Sequence, residues 1–72
     1  MSDHRIRITL EDMLERRGMT LTELSVAVDI SLVNLSILKT GKAKAIRFST
    51  LTRICDVLDC QPGELLAYDD NR

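Results

Sequence analysis

Residues 20–39, TLTELSVAVDISLVNLSILK, contain two short helix patterns separated by a tight turn. Thr20 stands three residues before Glu23, the spacing of a capping box, and this predicts the start of a helix. Ser31 is a good N-cap for a second helix. With a turn at residues 29–31, the stretch predicts a helix-turn-helix. The predicted buried side chains are Leu24, Ala27 and Val28 in the first helix and Leu35 and Leu38 in the second.

Three further helices are predicted around this pair. Thr9 is placed to cap a first helix, which Gly18 ends. Ser49 is the expected cap of a fourth helix that extends to Leu58. Pro62 suits the first position of a last short helix over residues 63–66. The chain is therefore predicted to be all-α, with five short helices.

The two ends of the chain differ from this helical pattern. Ile6 and Ile8 alternate with arginines, so residues 1–8 are predicted to be an N-terminal arm or a short strand. Such a strand needs a partner, and residues 66–68 are the only other extended candidate. We expect the two ends to pair, within one chain or across a two-fold axis. The organisation predicted is one domain over 1–72, with a five-helix core at 9–67 and an acidic tail at 68–72.

The composition fits a small aliphatic domain. Of the 72 residues, 44% are hydrophobic, but the chain has one Phe, one Tyr and no Trp, so its core must be aliphatic. Cys55 and Cys60 have no metal-ligand spacing and are expected to fill space as free thiols in a reducing compartment, with no metal or cofactor. No secretory or membrane-length apolar run is present, so we expect a cytoplasmic protein with no membrane partner.

The charges are segregated along the sequence. Residues 30–55 have charge +5, against −6 for the rest of the chain, which together give the net charge of −1. A basic window directly after the second helix of the pair predicts a surface that faces phosphates. The basic residues of this window are Lys39, Lys42, Lys44, Arg47 and Arg53.

An enzyme is not expected. The serines have no companion histidine arrangement, since His4 is the sole histidine and stands near the terminus. Neither a glycine-rich phosphate loop nor a pair of carboxylates placed for acid–base chemistry is evident.

The stretches 19–25 (MTLTELS), 30–42 (ISLVNLSILKTGK) and 61–66 (QPGELL) resemble the Cro/cI-type (Xre) helix-turn-helix family. The resemblance covers roughly residues 8 to 67 and is closest to small stand-alone bacterial regulators. It implies a lambda-repressor-like domain of five helices that binds double-stranded DNA as a homodimer. Base contacts are implied for Leu32, Val33, Asn34 and Ile37, and phosphate or minor-groove contacts for Thr20, Thr40, Lys42, Lys44 and Arg47.

The sequence also departs from that family pattern. Leu21 replaces a common Gln. The ion pair that many members form between an Arg of the first helix and a Glu that closes the third helix is expected to be absent, because those positions hold Leu14 and Lys39 here. Asn34 suits an adenine edge or is a surface or capping residue. The apolar residues around it pack on the core, touch thymine methyl groups or form a protein-binding patch. The expected function is a transcriptional repressor; the alternative is a protein-interaction module or an antitoxin.

Overall fold

The computed structural model describes residues 5–69, which contain four α-helices, one 3-10 turn and a two-stranded sheet. The elements in chain order are β1 (Ile6–Ile8), α1 (Leu10–Arg17), α2 (Leu21–Val28), α3 (Leu32–Lys39), α4 (Phe48–Leu58), the 3-10 turn Pro62–Glu64 and β2 (Leu66–Tyr68). The chain is thus mostly helical, and the predicted helix-turn-helix corresponds to α2 and α3.

The prediction of five helices is wrong. Pro62 does stand at the first helical position, but only a 3-10 turn follows it. The reason is tertiary: Leu66 pairs with β1 instead of extending a helix. Tyr68, which the sequence placed both in the extended candidate 66–68 and in the acidic tail, belongs to β2, and residues 70–72 of that tail lie outside the described part of the chain.

The predicted pairing of the chain ends is confirmed, and it occurs within one chain. β1 and β2 are antiparallel, with Ile6 opposite Tyr68 and Ile8 opposite Leu66. So short a ribbon is marginal alone. It is stabilised by packing, since Ile8 and Leu66 are half-buried against the core. The Thr9 N–H also donates to the Leu65 carbonyl at 2.8 Å and extends the pairing.

Aliphatic side chains from all four helices meet in one core, as the composition predicts. Within residues 5–69 none of the buried side chains is polar. The buried core residues are Leu10, Met13, Leu14, Leu24, Val28, Leu35, Leu38, Ile54, Leu58 and Leu65. Ala27, expected in this core, is exposed.

Two of the predicted N-caps are wrong. Ser49, expected as the cap of the fourth helix, lies inside α4, which begins at Phe48, and Arg47 takes the cap position without a side-chain hydrogen bond. Thr9 precedes α1, but its hydroxyl donates to the Glu64 carbonyl at 2.7 Å instead of capping the helix. The caps predicted for α2 and α3 are present.

The ends of the four helices share one backbone bond. A residue with positive φ stands directly after α1, α2 and α4, and one residue later, after Thr40, at the end of α3. The next N–H donates to the carbonyl five residues earlier, which is the closing bond of a Schellman motif. The positive-φ residues are Gly18 (62°), Asp29 (57°), Gly41 (77°) and Asp59 (51°). The closing bonds are Met19 to Leu14 (3.0 Å), Ile30 to Ser25 (3.1 Å), Lys42 to Ile37 (3.2 Å) and Cys60 to Cys55 (3.0 Å).

Arg17 fastens the end of α4 to α1. Its Nε donates to the Leu58 carbonyl at 2.6 Å, and a terminal guanidinium nitrogen donates to the Asp59 carbonyl at 2.9 Å. A cation at a helix C-terminus also interacts favourably with the helix dipole. The position of α4 is therefore set by polar contacts as well as by the core.

No single helix within residues 5–69 is long and apolar enough to cross a membrane. The α2–α3 pair reaches the length and apolar composition of a membrane span only when its two helices are counted together across the bend between them.

Candidate nucleic-acid interface

The α2–α3 pair has the geometry of a DNA-binding helix-turn-helix. The two helices are bent by 120° at a three-residue break, and this class of motif joins its helices at about 90–120°. Asp29 makes the reversal in the left-handed region, and the Ile30 N–H closes the cap of α2. This geometry allows the second helix to enter a groove while the first lies across it.

Packing fixes the orientation of α3. Its inner face is buried through Leu35 and Leu38, against the same core that contains Leu24 and Val28 of α2. Arg53 of α4 adds a polar tie, because a guanidinium nitrogen donates to the Val28 carbonyl at 3.4 Å. The orientation of α3 is therefore fixed by the core, and α2, on which it packs, is itself held by a bond from α4.

The outer face of α3 contains the four residues for which base contacts are expected. Leu32, Val33 and Ile37 are exposed by 45%, 69% and 42%, so the interpretation that they pack on the core is wrong. Asn34 is exposed, and its backbone N–H donates to the Ser31 hydroxyl at 3.1 Å. These four side chains form what we call the α3 outer face.

The basic loop, residues 40–47, lies beside α3 and is attached to the core at two points. Ala43 and Ile46 are half-buried against the core, whereas Lys42, Lys44 and Arg47 are exposed. Small and apolar residues thus hold the loop, and charged side chains alternate with them along its outer surface.

An open groove of about 640 Å³ separates α3 from the basic loop. Of the expected DNA-contacting residues, Asn34, Ile37, Lys44 and Arg47 line it. Leu32, Val33, Thr20, Thr40 and Lys42 are outside its lining. Asp29 also lines the groove and adds an acidic group at one side.

The two threonines expected at phosphates also have roles within the fold. The Thr20 hydroxyl accepts from the Glu23 N–H at 3.1 Å, and the Thr20 N–H donates to Glu23 Oε1 at 2.9 Å. The hydrogen bond from the Thr20 backbone is the main cause that lowers the pKa of Glu23, and the Thr20 side chain lowers it further. The Thr40 hydroxyl donates to the Ile37 carbonyl at 3.1 Å. Both residues remain exposed.

Arg53 and Lys39, two basic residues of the charged window, make polar contacts with other helices. Arg53 bonds to the end of α2, as described above. Lys39 Nζ lies 3.6 Å from Glu11 Oε1 of α1. An ion pair thus joins the first and third helices, with the acid on α1 and the base on α3. It differs from the pair of the family pattern, which needs an Arg at the position of Leu14. Glu11 lies one helical turn before Leu14, and its pairing with Lys39 was not predicted from the sequence.

Among residues 5–69, no three His, Cys, Asp or Glu side chains come together as metal ligands. Cys55 and Cys60 are free thiols, and both are half-buried.

The fold and the exposed α3 define a class, the helix-turn-helix DNA-binding domains. The chain belongs to the Cro/C1-type HTH DNA-binding domain family, whose pattern it matches over residues 9–71. It is also similar to the protein named "Uncharacterized HTH-type transcriptional regulator YozG" of Bacillus subtilis (strain 168). The two are 59% identical over 63 residues, which cover 88% of this chain and 75% of that protein. The family is one of DNA-binding domains and not of enzymes.

Proposed function

We propose that this protein is a transcriptional repressor that binds a specific operator with α3 in the major groove. The observation that supports this most directly is the α3 outer face, which the fold leaves exposed beside the basic loop. A DNA-binding domain can repress by occupying its site alone. The relative in Bacillus subtilis is itself named as a transcriptional regulator.

Base recognition is assigned to Asn34 and its apolar neighbours. An Asn amide can donate to and accept from one adenine edge, and apolar side chains contact the thymine methyl group. Leu32, Val33 and Ile37 make no direct hydrogen bonds to bases, so we expect their preference to be for thymine. The proposed operator half-site is therefore rich in A·T pairs.

Affinity is assigned to the basic loop. Phosphate contacts position a protein on the duplex without specifying sequence. Lys42, Lys44 and Arg47 are the proposed contacts of this kind, supported by Thr20 and Thr40. Lys44 and Arg47 line the same groove as Asn34 and Ile37. A DNA duplex whose major groove held α3 would therefore place its phosphate backbone beside the two basic side chains.

A homodimer on DNA completes the proposal. Domains of this class bind two half-sites one helical turn apart, about 34–36 Å, and the symmetry of the operator follows that of the protein. We therefore expect a near-palindromic site.

The test uses the duplex selected from a random library and a version with uracil in place of thymine. Uracil lacks only the methyl group. If the apolar side chains contact that group, the uracil duplex should bind more weakly, although its hydrogen-bonding groups are unchanged.

Asn34→Ala is expected to cost about 1–3 kcal/mol of binding free energy on the selected duplex. Ser36→Ala, at an exposed α3 position outside the proposed contacts, is the control and should bind as the wild type does. Fluorescence anisotropy measures each Kd. Equal loss on selected and random duplexes for Asn34→Ala would contradict base recognition.

A second candidate function is a protein-binding surface on α3. It is favoured by the exposed apolar side chains on that helix, because contiguous exposed apolar residues commonly mark an interface. The uracil experiment separates the two functions: a surface used only for protein has no reason to distinguish uracil from thymine.

A further inference from the structure

The end of α4 brings two cysteines together. In the Schellman motif, the residue whose N–H closes the cap and the residue whose carbonyl accepts it also make a side-chain contact in many helices. In α1 these two positions hold Leu14 and Met19, which are buried and half-buried. In α4 they hold Cys55 and Cys60, joined by the 3.0 Å backbone bond.

The two thiols share one environment at the end of α4. Desolvation by burial raises the pKa of the Cys60 thiol, and the neighbouring Cys55 raises it further. Both cysteines line one open groove, together with Leu51 and Phe48, and Phe48 is 85% exposed. A small reagent can therefore reach the pair without unfolding the domain.

We propose that Cys55 and Cys60 are a modification site, a dithiol that the cap of α4 holds in position to close as an intramolecular disulfide. A disulfide requires Cα atoms about 4.4–6.8 Å apart, which is compatible with a direct backbone hydrogen bond between the two residues. Arg17 fixes the intervening carbonyls of Leu58 and Asp59. Closure therefore joins two side chains across a segment that is already ordered.

Hydrogen peroxide is the oxidant class that the reaction uses. One thiol releases its proton, its sulfur takes an oxygen from peroxide as the O–O bond breaks, and the hydroxide that leaves takes up that proton as water, which gives a sulfenic acid. The second thiolate then attacks that sulfur, the S–S bond forms, and the hydroxide that leaves takes up a proton as water. Two thiols lose two electrons in all, and one peroxide is reduced to two waters.

The experiment treats the folded, reduced protein with hydrogen peroxide and follows intact mass and free thiols. We expect a loss of two hydrogen atoms in mass, no thiol left to react with maleimide, and a monomeric band on a non-reducing gel. The cross-link constrains the unfolded chain, so the oxidised protein should melt about 5–10 °C above the reduced protein.

Two sets of variants complete the test. Cys55→Ser and Cys60→Ser should each lose the two-hydrogen product. A second variant moves the pair to the end of α3, by Ile37→Cys and Lys42→Cys in a chain without Cys55 and Cys60. This variant should again form the disulfide, because the backbone bond from residue 42 to residue 37 matches that from residue 60 to residue 55. Covalent dimers, two persistent free thiols in the wild type, or an oxidised form that melts below the reduced one would overturn the proposal.

Discussion

Several capping residues could be predicted from the sequence because their partners lie three residues away. Thr20 with Glu23, and Ser31 with Asn34, form the expected bonds. Ser49 could not be excluded by the same reasoning, since it has a capping side chain but α4 starts one residue earlier. Local chemistry identifies possible caps, and tertiary contacts decide which of them are used.

The capping box of α2 predicts a pH dependence of stability. The pKa of Glu23 is lowered in the fold from its ordinary value of 4.5. A carboxyl with a lowered folded pKa stabilises the fold above its unfolded pKa, and this contribution disappears as pH falls through the folded value. We expect Glu23→Gln to be less stable than the wild type above about pH 5, with the difference narrowing at lower pH.

Urea unfolding across this pH range measures the difference. Glu15→Gln, which removes an exposed carboxylate outside any capping box, controls for the change of net charge. A difference between wild type and Glu23→Gln that stays constant from pH 6 to pH 3 would contradict the assignment.

At the scale of elements, the contacts that sequence analysis missed join residues far apart in the chain. Arg17 bonds to the end of α4, 41 residues away, and Arg53 bonds to the end of α2, 25 residues away. A periodic pattern shows which face of a helix is buried, but not which distant carbonyl an arginine reaches. The replacement of a fifth helix by β2 has the same origin, since the partner of β2 is at the other end of the chain.

Arg17 should therefore contribute more to stability than its exposure suggests. Arg17→Gln removes charge-assisted bonds to two carbonyls at the end of α4 and is expected to cost about 1–2 kcal/mol. Arg16→Gln is the matched control, because Arg16 occupies the preceding exposed position of α1. Thermal unfolding measures both variants, and equal melting temperatures for the two would show that the contact to α4 is unimportant.

At the scale of the whole molecule, the net charge of −1 conceals the separation of charge along the chain. The separation is evident in the sequence, and the structure modifies it in part. Lys39 pairs with Glu11 and Arg53 bonds to the end of α2, and the side chains of Lys42, Lys44 and Arg47 are exposed on the basic loop. The helix-turn-helix could be predicted because caps and periodicity specify it locally. The contacts made with DNA remain a proposal.

The salt dependence of DNA binding tests the central proposal most directly. Each phosphate neutralised by a basic side chain adds about one unit to the slope of log affinity against log salt concentration. The measurement compares the wild type with the variant in which Lys42, Lys44 and Arg47 are all Ala. A control variant replaces the exposed Arg5, Arg7 and Arg16 and so removes the same charge elsewhere. We predict a slope flatter by about three units per bound protomer for the loop variant alone. An unchanged slope in the loop variant, or an equal change in both variants, would contradict the assignment of phosphate contacts to this loop.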